Sequence, residues 1–325
     1  MTMHRVCLLA AALVAAAVSA QGSALGQDFP TRPVRIIVPY APGGGTDITS
    51  RIVQDRTVAL LGQPLVIENR AGGGTLIGTQ AVANAAPDGY TLGAMDPAFV
   101  TNPQLMTDAR YDPLKDFAPV SLLTVTPLIL IVPSSFPART VKELIDYARA
   151  NPGKLNFGSP GSGSGGHLAI EQFRHAFGLQ MVHVPYKGAG PAVAAIVANE
   201  VSMLMAGSGA VPFVQDGRLR ALAVTSAKRV PALPDVPTFT ELGFPQVNVE
   251  TFAGAVVPAK TPEPVIKRLH AAFAGALQAP EVRAKFLQLN SFPIGNTPDE
   301  FAVFLKDNVA RLGRVVRESN IKSEP

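Results

Sequence analysis

The sequence predicts an α/β protein of two lobes with a ligand cleft between them. Strand-like and helix-like segments alternate between residues 34 and 95 and again between residues 141 and 224, which is typical of βαβ units around parallel sheets. Two long extended runs, residues 118–132 and 247–257, stand where the chain would cross from one lobe to the other. Two lobes joined by two crossing segments enclose a cleft, and clefts between lobes are where ligands commonly bind.

The composition is that of a globular protein with an export signal in front of it. The chain has 325 residues, 47% of them hydrophobic, which is enough for sizeable cores. Residues 1–5 are a short basic start, residues 6–18 are apolar, and small residues follow, as in a secretory signal peptide. We expect cleavage after residue 26, with cleavage after residue 20 as the alternative. No later segment approaches the ~18 apolar residues that a membrane span needs.

Charge and cysteine content exclude several classes of function. Removing residues 1–26 takes away only Arg5, which leaves 27 basic against 24 acidic residues and a net charge of +3. This small excess without a basic run predicts neither nucleic-acid nor membrane binding, and slightly favours small anions. The only cysteine, Cys7, lies in the signal segment, so the exported chain has no disulfide, thiolate nucleophile or cysteine metal site.

The first lobe opens with a strand at residues 34–38, the loop PYAPGGGTD at residues 39–47 and a helix at residues 48–61. Three successive glycines remove every Cβ from the loop, so backbone N–H groups can converge on a small anion. Thr46 or Asp47 is expected to cap the helix. From the loop alone, a glycine-softened turn that binds nothing is an equally good interpretation.

The remaining elements follow in order. In the first lobe we expect strands at 65–68 and 90–95 and a helix at 76–85; in the second, helices at 141–150, 166–177 and 190–198 with strands at 155–158, 181–184, 201–205 and 219–224. Three helices end the chain at 262–277, 280–289 and 298–319, each with Pro in or near its first turn. Residues 27–124 with 251–325 are expected to form one lobe, and residues 125–250 the other.

A second glycine-rich turn, SPGSGSGGH at residues 159–167, follows a strand in the second lobe. Gly161, Gly163 and Gly166 fit the dinucleotide pattern G-x-G-x-x-G, but the next strand would then end in an acid that binds the ribose. Residues 184–187 read VPYK instead. We therefore favour a second anion-binding nest, made of Ser hydroxyls and helix N–H groups.

Neither a metal nor catalysis is expected. His167, Glu171 and His175 share a helix face, which fits a partial metal site or an ordinary surface Glu–His pair, but no fourth ligand or H-E-x-x-H is apparent. The chain also has no G-x-S-x-G, no Lys three residues after Ser226 and no Walker lysine. A secreted α/β enzyme, such as a hydrolase with an unrecognised nucleophile, is the alternative to a binding protein. We expect no cofactor.

Seven ordered segments together resemble one family. The chain is similar to the periplasmic solute-binding proteins of tripartite tricarboxylate transporters, the Bug or TctC family. The resemblance covers essentially the whole mature chain and implies a periplasmic, monomeric Venus-flytrap receptor. It would close on a small di-, tri- or aromatic carboxylate, held by backbone groups and bridging waters, and deliver it to a membrane permease. The segments are residues 33–47, 61–74, 87–92, 111–120, 152–167, 183–191 and 222–241.

The resemblance also predicts binding residues, which lie on two carboxylate loops and a few positions near them. They are Tyr40, Pro42, Gly43, Gly44, Gly45, Thr46 and Asp47 in the first lobe, Ser159, Gly161, Ser162, Gly163, Ser164, His167, Tyr186 and Lys187 in the second, and Phe252 on the returning strand. Ser208 is a further candidate from the sequence itself, because residues 206–209 follow a strand and offer a third cleft loop. Two departures matter: Phe252 stands where relatives often have Trp, and Ala206-Gly207 where many have Asp. Both weaken the prediction of a ligand with an amino group.

Overall fold

The structure is a computed structural model that describes residues 29–321, so the predicted signal peptide and Cys7 lie outside the described residues. Its strands are β1 (Val34–Val38), β2 (Leu65–Asn69), β3 (Thr91–Met95), β4 (Phe117–Thr126), β5 (Ile129–Pro133), β6 (Asn156–Ser159), β7 (Val182–Pro185), β8 (Met203–Ala206), β9 (Leu219–Val224), β10 (Thr251–Pro258) and β11 (Phe292–Pro293). Its α-helices are α1 (Gly45–Leu61), α2 (Leu76–Ala83), α3 (Pro97–Leu105), α4 (Val141–Ala150), α5 (Gly165–Phe177), α6 (Ala189–Val197), α7 (Val211–Gln215), α8 (Glu263–Gln278), α9 (Pro280–Gln288) and α10 (Pro298–Glu318).

The strands form two mixed sheets, which confirms the predicted two-lobed α/β fold. The first sheet has the order β11-β4-β10-β3-β1-β2, with β1 parallel to β2 and β3 and with β10 antiparallel to both of its neighbours. The second sheet has the order β7-β6-β8-β5-β9, with β6 parallel to β7 and β8 and with β5 antiparallel to its neighbours. The parallel strands place their carboxyl ends, and the loops that follow them, at one edge of each sheet.

Two segments carry the chain between the sheets, as predicted. The run at residues 118–132 is divided into β4 of the first sheet and β5 of the second, because Pro127 has no N–H group to offer a ladder. The return leads from β9 of the second sheet to β10 of the first. Strand β10 begins at Thr251, so the predicted strand residues 247–250 are irregular and the expected boundary there was wrong.

Helix α1 begins earlier than predicted. Gly44, extended at φ −86° and ψ 170°, is its N-cap residue, and the helix starts at Gly45 rather than at residue 48. Thr46 and Asp47 therefore lie inside the first turn, and the prediction that one of them caps the helix was wrong. Because Gly44 has no side chain, the first N–H groups of α1 receive no side-chain cap.

Helix α3 was missed from the sequence. Asp96 is its N-cap residue and accepts the Ala98 N–H, and Pro97 is the first helical residue, where its missing N–H does no harm. The Asp-Pro pair was a usable start signal, but Pro103 inside a short segment obscured it.

The three C-terminal helices are confirmed at α8, α9 and α10. Thr297 and Glu300 form a capping box at the start of α10. Phe301 of α10 is fully buried over the β10 backbone at Gly254, where any added Cβ would meet its ring. Within residues 29–321, no helix combines the length and apolar character needed to cross a bilayer.

Candidate functional site

A cavity of about 60 Å³, partly open to solvent, lies between the two sheets and is walled by loops and strands of both. This is several times the volume that one water needs. The described residues that line it include no Lys, Arg or His. Its polar side chains are nearly all hydroxyls: Thr46, Thr49, Thr124, Thr126, Thr251, Ser164, Ser208 and Tyr40, with Asp96 as the exception.

Helix N-termini supply the positive potential that these side chains lack. From the first lobe, α1 presents Gly44, Gly45 and Thr46 to the cavity. The N–H groups of a helix's first turn have no acceptor within the helix and carry a partial positive charge of roughly half a unit. One helix end of the first lobe is therefore open to an anion in the cavity.

The second lobe contributes further helix starts on the opposite wall. Gly165 and Gly166 begin α5, Ala189 begins α6, and Ser208 follows Gly207 at the start of a 3-10 turn. The α6 start has no side-chain cap. Helix ends of both lobes thus converge on one small space, which is an arrangement suited to a small anion.

The GGG loop is held in shape from behind by Asp47. Its carboxylate accepts the Gly43 N–H at 2.9 Å, Arg51 Nε at 3.0 Å and Asn69 Nδ2 at 3.0 Å. Burial would raise the pKa of Asp47, but the hydrogen bonds from Arg51, Gly43 and Asn69 outweigh it and lower the pKa. Asp47 is therefore an ionised brace of the loop and does not face the cavity.

The second glycine loop is braced by two stacked histidines. The rings of His167 and His183 lie 4.1 Å apart at 10°. The Gly163 N–H donates to His167 Nδ1 at 3.1 Å, and Ser159 Oγ lies 2.6 Å from His183 Nε2. Burial, followed by neighbouring positive charge, lowers the pKa of His167 to about 3 and of His183 to about 4, so both rings are neutral at pH 7.

We expect acid to destabilise the protein through these rings. An unfolded histidine binds its proton near pH 6.5, whereas His167 in the folded state resists protonation until about pH 3. The contribution of each buried histidine to the free energy of unfolding is therefore complete above about pH 6.5. It falls as the pH drops toward 3, by up to about 1.4 kcal/mol per pH unit for each such proton. Urea unfolding between pH 7 and pH 4 measures the slope.

A variant pair isolates this effect. In His167→Asn, the side-chain Oδ1 can still accept the Gly163 N–H, but nothing titrates, so the slope should become shallower. His175→Asn, on the exposed face of the same helix, should keep the wild-type slope. Equal slopes in all three proteins would contradict this account.

Seven of the predicted binding residues line the cavity. They are Tyr40, Gly44, Gly45, Thr46, Ser164, Ser208 and Phe252. The other predicted residues do not line it and lie behind or beside the loops: Pro42, Gly43, Asp47, Ser159, Gly161, Ser162, Gly163, His167, Tyr186 and Lys187. Both glycine-rich loops lie beside the cavity, but many of their polar groups form hydrogen bonds that hold the loops in shape rather than facing the cavity.

Several residues that do not line the cavity connect the two lobes. The Lys187 side chain is exposed, and its carbonyl accepts the Ala41 N–H of the GGG loop at 3.0 Å. The Gly163 carbonyl oxygen accepts a hydrogen bond from the Thr101 hydroxyl of α3 at 2.8 Å. The structure therefore shows the two lobes in direct contact beside the cavity.

Sequence reasoning missed five polar residues of the wall: Thr49, Asp96, Thr124, Thr126 and Thr251. Thr49 lies one turn into α1, after the Gly-rich loop. The other threonines lie on the crossing strands β4 and β10, whose position between the lobes was predicted but whose cavity-facing sides were not. Asp96 directly follows β3, which is paired with β1, so the shared carboxyl edge of these two parallel strands was the signal for it.

Asp96 is a buried acid on the cavity wall. Tyr40 O–H donates to its Oδ2 at 2.7 Å, and the Ala98 N–H donates to its Oδ1 at 3.0 Å. Burial raises the pKa of Asp96 to about 7, although both hydrogen bonds oppose the rise. Asp96 thus supplies the cavity with an acid from the first lobe, although the second-lobe position Ala206-Gly207 has none.

The proposed His–Glu–His metal pattern is not assembled. Glu171 forms an ion pair with Arg174 at 2.6 Å, and His167 stacks on His183. Across residues 29–321, no group of three or more His, Cys, Asp or Glu side chains is placed to hold a metal ion.

Two lobes, two crossing segments and a cavity between the lobes lined by helix N-termini define a solute-binding protein. A family model described as "Tripartite tricarboxylate transporter family receptor" (TctC) matches residues 49–321. The chain belongs to this family, as its sequence segments indicated. The family is one of receptors rather than enzymes, so the non-catalytic interpretation is confirmed and the hydrolase alternative is set aside.

Several known proteins are similar over nearly their whole length. Protein BugT of Bordetella pertussis is 35% identical over 317 residues, covering 97% of this chain and 95% of BugT. A solved structure of a periplasmic transporter is 41% identical with a TM-score of 0.88, covering 90% of this chain and 99% of its own.

Two solved relatives contain a ligand. MatC from Rhodopseudomonas palustris, with bound malate, is 33% identical with a TM-score of 0.85, covering 89% of this chain and all of MatC. Another R. palustris protein, with adipate, is 32% identical with a TM-score of 0.87, covering 91% of this chain and all of its own.

Proposed function

We propose that this chain captures a small carboxylate in the periplasm and delivers it to the permease of a tripartite tricarboxylate transporter. The observation that carries the proposal is the convergence of helix N-termini from both lobes on one cavity, whose described lining residues include no basic side chain. Backbone N–H groups and hydroxyls suit the carboxylate group itself, whichever acid carries it. The relatives with bound malate and adipate support a dicarboxylate as the first choice.

The same geometry explains how binding would drive closure. An anion contacts α1 on one side and α5 and α6 on the other, so its binding free energy is most favourable when the two lobes are in contact. The ligand therefore favours the closed state by its differential affinity for it. The contacts of Ala41 with Lys187 and of Thr101 with Gly163 then hold the two lobes together.

The proposed receptor retains the predicted organisation. Residues 27–126 with 251–325 form the proposed first lobe and residues 127–250 the second; the first crossing lies two residues later than expected, because β4 of the first sheet continues to Thr126. A signal peptide of residues 1–26 directs export, and the mature protein acts as a monomer until it docks to the permease. The proposed ligand contacts are Tyr40, Gly44, Gly45, Thr46, Ser164, Ser208 and Phe252, which the sequence predicted, with Thr49, Asp96, Thr124, Thr126, Gly165 and Thr251 added.

A thermal-shift screen of the mature protein tests the proposal. We expect a di-, tri- or aromatic carboxylate at 100 times its Kd to stabilise the protein by about 2.7 kcal/mol, because a ligand that binds only the folded state adds RT ln(1 + [L]/Kd). The amide of the same acid is the matched control and should give no shift. The proposal fails if no acid of the panel shifts the transition.

A further inference from the structure

We propose that carboxylate binding to this receptor takes up one proton, which Asp96 and the ligand carboxylate share inside the closed cavity. The inference rests on the proposed carboxylate-binding function. It assigns to Asp96 the role of a ligand-contacting, specificity-determining residue and makes the affinity depend on pH.

The position of Asp96 is the first step. It is the only acidic side chain among the described residues that line the cavity, and only 6% of it is exposed. Asp96, Tyr40, which donates to it, and the start of α1 at Gly44–Thr46 line the same cavity. A carboxylate that fills this cavity therefore faces the Asp96 carboxyl group.

The charges of the wall are the second step. Among residues 29–321, no basic side chain lines the cavity to neutralise a second negative charge, and each helix end contributes only roughly half a unit. Two carboxylates that share a buried site do not both ionise; one of them keeps a proton. The closed complex is therefore stable when solvent supplies one proton to the pair.

The hydrogen bonds of Asp96 leave room for that proton. One carboxyl oxygen accepts Tyr40 O–H and the other accepts the Ala98 N–H, and each oxygen has a second lone-pair direction. A neutral Asp96 keeps both hydrogen bonds and gains an O–H donor for the ligand carboxylate. The buried acid thereby becomes one more hydrogen-bond donor to the ligand, in addition to the N–H groups and hydroxyls of the cavity wall.

The groups around Asp96 offer no competing charge. Tyr40, from the loop after β1, and Tyr111, from the segment after α3, are the titratable groups that act on it, and both are neutral because burial and the Asp96 charge raise their pKa values. The other elements contribute hydroxyls to the shared wall: Thr46 and Thr49 from α1, Thr124 and Thr126 from β4, Thr251 from β10 and Ser164 before α5. Burial raises the pKa of Asp96 to about 7, so this group can hold a proton near neutral pH when the lobes are in contact.

Isothermal titration calorimetry with malate and adipate tests the proposal between about pH 6 and pH 9, in buffers of different ionisation enthalpy. Both acids are ionised throughout this range, because free carboxyl groups titrate near pH 4. For the wild type we expect proton uptake that approaches one per ligand at the alkaline end. The affinity should then fall about tenfold per pH unit above the pKa of Asp96.

Two variants make the result specific. Asp96→Asn keeps an N-cap residue for α3 and should show no proton uptake and a flat affinity profile. Asp55→Asn removes an exposed acid from the same lobe and should behave as the wild type does. Thermal unfolding of each variant checks that it is folded.

Each other outcome overturns a defined part of the account. Binding by the wild type without proton uptake overturns the coupling but not the proposed function. Affinity that rises with pH and is lost in Asp96→Asn also overturns it, because an ionised Asp96 would then accept a donor group of the ligand. If neither these acids nor any other carboxylate of the panel binds at any pH, the proposed function fails and the coupling fails with it.

Discussion

Gly190→Ala is expected to weaken carboxylate binding by about 10- to 100-fold while both lobes stay folded. A Cβ at Gly190 would lie 2.6 Å from the Pro42 carbonyl oxygen and 3.4 Å from Gly43 Cα, both in the backbone of the opposite lobe. Backbone atoms cannot turn away as a side chain does, and overpacking of this kind costs ~1–3 kcal/mol. The cost falls on the closed state alone.

The same substitution should make the open state slightly more stable against unfolding, because alanine is a better helix former than glycine. Gly190 lies in the first turn of α6, so the ligand-free variant should unfold at the same temperature as the wild type or slightly higher. Ala194→Leu adds bulk to the exposed side of the same helix and is the matched control. Wild-type affinity in Gly190→Ala would show that the lobes need not meet here when ligand binds.

Gly45→Pro is the second change with a large expected effect, a loss of about 10- to 100-fold in affinity. Gly45 is the first residue of α1, where proline fits a helix, and Gly44 already has the extended backbone that a following proline requires. The substitution therefore removes one N–H group from the cavity wall with little change to the helix. A hydrogen bond to a charged partner contributes ~1.5–3 kcal/mol, which sets the size of the loss.

Gly45→Ala separates the lost donor from added bulk. A Cβ at this position meets nothing closer than Ser208 Oγ at 3.9 Å, which is ordinary contact, and the N–H group remains. We expect Gly45→Ala to bind within about threefold of the wild type, a difference below 1 kcal/mol. Equal losses in both variants would indicate that Gly45 matters for space rather than for its N–H.

The two glycine-rich loops of the site could be predicted from the sequence because their chemistry depends on neighbouring residues. Runs of glycine between a strand and a helix predict backbone groups open to a ligand, and residues 39–47 and 159–167 both reach the cavity. The crossing of the chain between lobes was also readable, from the length and β character of residues 118–132. These features depend on neighbours in the chain, so a single sequence contains them.

Other features depend on contacts between distant residues. Ser159 and His167 looked like ligand groups, but His183, from the next strand, stacks on His167 and bonds Ser159 and so turns both into braces. The Asp47 carboxylate accepts a hydrogen bond from Asn69, 22 residues along the chain. Thr124 and Thr251 become cavity residues only because β4 and β10 pair in the first sheet, next to the crossings to the second lobe. Asp96 needed the pairing of β3 with β1 before its strand end could be assigned to the site.

A crystal structure of the mature protein with the tightest-binding carboxylate of the screen tests the central claim most directly. We predict a closed cleft with one ligand carboxylate within hydrogen-bond distance of the Gly45 or Thr46 N–H from the first lobe. The second lobe should contact the same ligand through N–H groups at the start of α5 or α6. A ligand that contacts only one lobe, or whose carboxylate is bound by a lysine or arginine away from these helix ends, would contradict the claim.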